Sequence, residues 1–129
     1  MHRAIAVLLM LGCGDAAAQA GKTKVPQAAT RLVAAVHGAA ASGAPETLRK
    51  SMSPDFVSSF GGDGGPDEAI ALWTREPAYL RHLAQSTAGH CQRLATDYVE
   101  CPPHAGSNYR AGFKLIDGKW TFSSFVASD

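Results

Sequence analysis

The chain has 129 residues, with 12 basic against 11 acidic side chains and a formal net charge of +1. A balance this even provides no electrostatic footprint for nucleic acid or an anionic membrane surface, both of which need clustered Lys or Arg. No run of like charge marks a binding tail, and the length admits one ordinary domain rather than two.

The N-terminus reads as an export signal. His2 and Arg3 form a short charged start, an apolar stretch runs from Ala4 to Leu11, and Ala18 and Ala20 put small residues at the positions that precede a cleavage site. The stretch falls short of the about 20 residues that a bilayer span needs, so no transmembrane segment is expected. A second ending is available at Leu11-Gly12-Cys13, with Cys13 lipidated as the new N-terminus, although Met10 stands where such a signal prefers an aliphatic residue. Cleavage after Ala20 is the better match. It predicts residues 1–20 as signal peptide, 21–129 as a single domain, and a periplasmic or secreted protein, the alternative being a lipoprotein anchored through Cys13.

Pro26 suits the first turn of a helix, and Ala29, Leu32, Val33, Val36 and Ala40 recur at helical spacing until Ser42-Gly43. Pro45 opens a shorter helix with Leu48 and Met52 four apart, expected to end at Ser53-Pro54. Phe56 to Phe60 reads as a strand. Four glycines among residues 61–65 then form a loop around Asp63. Pro66 restarts a helix with Asp67 and Glu68 in its first turn, where they complement the macrodipole, and with Ala69, Leu72 and Trp73 on its buried stripe. After Glu76-Pro77, Tyr79, Leu80, Leu83 and Ala84 predict another helix ending near Gly89.

With Cys13 inside the signal, Cys91 and Cys101 remain as an even pair in an oxidising compartment, which reads as a disulfide. A hairpin centred on Thr96 pairs Leu94 with Tyr98, Arg93 with Val99, Gln92 with Glu100, and Cys91 with Cys101, close enough to bridge. The competing metal site would use His90, Cys91, Cys101 and His104, whose spacing fits no standard zinc module. No metal or other cofactor is expected. Farther on, Tyr109, Ala111, Phe113 and Leu115 alternate with polar residues, Asp117-Gly118 is a two-residue turn signal, and Trp120, Phe122, Ser124 and Val126 alternate on the return. Opposing Ile116 to Lys119 sets Phe113 against Phe122, Ala111 against Ser124 and Tyr109 against Val126, and leaves Phe125 on the outer face.

Helix, helix, strand, helix, helix and four strands predict an α+β fold, its N-terminal helices packed on one face of a mostly antiparallel sheet. This order resembles the cone-shaped roll of nuclear transport factor 2-like and cystatin-like proteins. Phe60 to Pro66, Tyr109 to Phe113 and Trp120 to Asp129 also resemble small exported proteobacterial proteins of unassigned function. Neither likeness implies a chemistry.

No catalytic motif stands out. The Asp63 loop, with Asp67 and Glu68 beside it, can take a cation or present N–H groups to an anion, but it lacks the ligand pattern of a calcium loop and the Lys-Ser/Thr of a phosphate loop. His37 is placed to line a cavity, and with Asp55 or Tyr109 it would form an acid–base pair. Arg110 and Lys114 share the outer face of the last hairpin, a candidate docking surface. Trp73 and Trp120 fall on core stripes. The expected function is a non-catalytic binding or interaction domain for an envelope protein or a small ligand, with Asp63, Asp67, His37 and Arg110 as candidate contacts. A small cavity enzyme using a His/Asp pair is the alternative, and an envelope folding accessory is a third possibility; fold alone does not choose among them.

Overall fold

The computed structural model describes residues 24–59, 64–103 and 109–127. The expected signal with Cys13, the Asp63 carboxylate, Phe60 and His104 lie outside these residues.

Helix α1 (Gln27–Ala41) turns Ala29, Val33, Val36 and Ala40 inward, the stripe that its spacing dictates. Pro45–Ser51 follows as a 3-10 helix and strand β1 as Met52–Ser58. The predicted second helix is therefore shorter and tighter than expected, and Met52, Ser53 and Pro54 belong to the strand. Pro54 is tolerated there because β1 is an edge strand. Helix α2 (Gly65–Arg75) buries Ala69, Ile70 and Trp73, and α3 (Ala78–Ala88) buries Leu80, Leu83, Ser86 and Thr87. Strands β2 (Gln92–Ala95), β3 (Tyr98–Cys101), β4 (Tyr109–Ile116) and β5 (Lys119–Ala127) complete a five-stranded sheet in the order β1-β5-β4-β3-β2. β1 runs parallel to β5, while the other pairings are antiparallel. The sheet is mixed and open, with β1 and β2 as its edges.

Cys91 and Cys101 are joined as a disulfide, Cα to Cα 4.3 Å. The first hairpin keeps Gln92 opposite Glu100 and Arg93 opposite Val99, then shifts so that Ala95, not Leu94, faces Tyr98. Thr96-Asp97 thereby makes the turn, held by Arg93 Nη2 donating to the Thr96 carbonyl at 2.6 Å and by the Leu115 N–H donating to the Asp97 carbonyl at 2.9 Å. Leu94 takes the irregular position and is 47% exposed.

The last hairpin follows the expected register from the turn as far as Phe113 opposite Phe122 and then slips by one residue. Gly112 faces Ser124, Ala111 faces Phe125 and Tyr109 faces Ala127. An extra residue on β5 makes a β-bulge there and reverses the alternation beyond it. Phe125 is therefore in the core at 3% exposure, not on the outer face. The Phe125 ring packs on Trp73 and Tyr109 with centroids 6.0 and 5.2 Å apart. Phe56, Trp73, Phe113 and Phe122 complete the cluster between the helices and the sheet. Burying a second large ring outweighs an unbroken ladder.

Candidate functional site

Along α1, Thr30, Ala34 and His37 fall on one stripe beside the buried one, because positions three and four apart share a helix face. This stripe borders the C-terminal half of α3. The His37 imidazole reaches across, with Nδ1 2.9 Å from the Ala84 carbonyl oxygen and 3.2 Å from Thr87 Oγ1. A carbonyl oxygen only accepts, so Nδ1 carries the proton. The Thr87 hydroxyl is committed as a donor to the Leu83 carbonyl at 2.8 Å, which leaves its oxygen free to accept from His37. Both interactions select one tautomer. Nε2 is the nitrogen left over, and no hydrogen bond to it is made by the described residues.

His37 lines an open groove of about 550 Å³ between α1 and α3, together with Val25, Val33, Ala34, Thr87 and Cys91. Most of this wall is apolar, and the disulfide forms part of it through Cys91. A second hollow of about 590 Å³ adjoins it through Val25 and Thr30 and carries Lys24, Gln27 and Arg93. Volumes of this size suit small organic ligands.

The other expected site residues stand apart from this groove. Asp67, in the first turn of α2, is held by Arg49 Nη1, and Arg49 Nε also pairs with Glu46 Oε2 at 2.6 Å. Arg110 lies on the outer face of the sheet, its Nη1 3.8 Å from Glu100 Oε1. Tyr98 joins that cluster by donating to Glu100 Oε2 at 2.9 Å. Burial, then the Glu100 carboxylate, pushes the Tyr98 phenol up to about 12. His37 meets neither Asp55 nor Tyr109. Asp55 is exposed on β1, and Tyr109 stacks on His82 with ring centroids 4.3 Å apart. His37, Asp67 and Arg110 therefore have separate partners in separate places. With Cys91 and Cys101 bonded to each other, neither is a thiolate for a metal, and no cluster among the described residues could hold a metal ion.

Sequence reasoning passed over Thr87. Its signal was a polar residue on the buried stripe of α3, seven after Leu80 and four after Leu83, and a buried hydroxyl there needs a partner. The wall formed by Cys91 had no sequence signal, because it depends on where the hairpin docks.

The fold defines an α+β domain with helices against one face of an open mixed sheet, the architecture expected from the element order. No protein-family model matches the chain, and no curated protein is similar to it. Among solved structures it is similar to an NTF-2-like protein of unknown function from Shewanella oneidensis MR-1, with 13% identity, 79% of this chain and 97% of that one covered, and a TM-score of 0.48. It is also similar to an NTF2-like protein with a cystatin-like fold from Novosphingobium aromaticivorans, with 17% identity, 77% and 79% covered, and a TM-score of 0.40. Likeness at this level brings no activity, ligand or partner to this chain. No helix among the described residues is long and apolar enough to cross a membrane.

Proposed function

We propose that this protein is a non-catalytic binding domain of the periplasm or cell exterior, released by cleavage after Ala20 and holding a small ligand between α1 and α3. The observation that carries this reading is His37, fixed through Nδ1 by Ala84 and Thr87 with Nε2 left to a ligand in a mainly apolar groove. A concave apolar wall with one oriented polar group is the common composition of a small-molecule site. A disulfide-stapled hairpin beside the groove is compatible with an oxidising compartment. Catalysis has less support. Among the described residues the His37 ring is bonded to a carbonyl and a hydroxyl, and no carboxylate is paired with it as an acid–base partner.

The test is a fragment screen by amide NMR on the mature chain, residues 21–129. Ligands should perturb Ala34, His37, Thr87 and Ala88 together, and His37→Phe should weaken those that offer a hydrogen-bond donor. Perturbations confined to the outer sheet face around Arg110, or none at all, would overturn the assignment of the groove.

A further inference from the structure

We propose that the groove takes a small anionic amphiphile, with its carboxylate at the Lys24 end and a hydroxyl or N–H donating to His37 Nε2 at the other. This inference rests on the groove being the binding site. Continuity supports it first, since the two hollows share Val25 and Thr30 and thus form one trough along α1. Gln27 and His37 mark its ends, and at about 1.5 Å of helical rise per residue they stand about 15 Å apart along the axis. An extended decyl chain covers most of that span.

Charge supplies the second support. Among the described residues, neither hollow has an Asp or Glu in its wall, whereas Lys24 stands at the far end and Arg93 contributes to the same wall. Helix α1 begins at that end with Pro26, without a side-chain cap and with no acidic residue in its first turn, so the positive end of its dipole adds to the lysine. A cationic ligand would meet the like charge of Lys24 there. The middle of the trough offers Val25, Val33, Ala34 and the disulfide, which suit an apolar body. At the opposite end, a neutral His37 ring with its proton on Nδ1 offers Nε2 as an acceptor, which selects a donor. The volume matches a small molecule rather than a length of polypeptide.

The experiment titrates the mature chain with ω-hydroxydecanoate, decanoate and decanediol, each below the concentration at which it forms micelles, by calorimetry and amide NMR. ω-Hydroxydecanoate should bind tightest, with decanoate and decanediol each weaker by about 5–10-fold, the usual value of one hydrogen bond or charge-assisted contact. Lys24→Gln should reduce ω-hydroxydecanoate to the level of decanediol, and His37→Phe should reduce it to the level of decanoate. Equal affinity for decanediol and ω-hydroxydecanoate, with the groove resonances perturbed, would overturn the anionic class and leave the groove standing. If none of the three perturbs Ala34 and Thr87 while other fragments do, the ligand class is wrong. If no fragment does, the groove itself is not the site.

Discussion

The Tyr98 hydroxyl lies over Gly112 and donates to Glu100, so a phenol, a carboxylate and a glycine share one spot on the outer face of the sheet. A Cβ at Gly112 would fall inside van der Waals contact of the Tyr98 hydroxyl and Ser124 Oγ. We expect Gly112→Ala to destabilise the domain by about 1–3 kcal/mol as an overpacking change, read by chemical denaturation. Tyr98 also gives the fold an alkaline limit. Its phenol is raised to about 12 in the folded chain, against about 10 in an unfolded one. The neutral phenol is favoured by folding, so its contribution is complete below pH of about 10 and is lost as pH rises toward about 12. Melting temperature should fall across that window, and Tyr98→Phe should flatten the fall; an unchanged slope in the variant would assign the alkaline limit to other groups.

The bulge in β5 controls the last hairpin as an element. Ser123 Oγ donates to the Gly112 carbonyl at 3.2 Å, beside the register slip that brings Phe125 inward. Phe122→Ala and Phe125→Ala should therefore cost similar amounts, about 3–5 kcal/mol each, since both rings leave cavities in one aromatic cluster. Urea denaturation of the two variants checks this, and near-neutral behaviour of Phe125→Ala would return that ring to the outer face. The first hairpin is stapled at its open end by a disulfide of sequence separation 10. Replacing both cysteines by alanine should cost about 2–3 kcal/mol on a chain-entropy account, and a reductant should then have no further effect on the melt. Because Cys91 also walls the groove, the same variant should weaken any groove ligand.

At the scale of the whole molecule, the export reading predicts that protein recovered from its native envelope begins at Gly21 and carries no lipid. Intact mass decides it, and a diacylglycerol-modified Cys13 at the N-terminus would sink the prediction. Local patterns determined much of the architecture. The stripe of Ala29, Val33, Val36 and Ala40, the Asp117-Gly118 turn and the pairing of Cys91 with Cys101 were legible because each depends on residues within a few positions or one hairpin of each other. Tertiary structure alone decided the rest. The slip at Ser123 arises because Phe125 gains more from Trp73 and Tyr109, which come from α2 and β4, than the ladder loses. The parallel contact of β1 with β5 joins segments separated by two helices and three strands, and no local pattern encodes it. The site is of the same kind: His37 could be picked out as a candidate, but its partners on α3 lie 47 and 50 residues away. Hydrogen-bond partners at that separation are chosen by helix packing, so a sequence can nominate the imidazole while only the docked helices decide which nitrogen is left for a ligand.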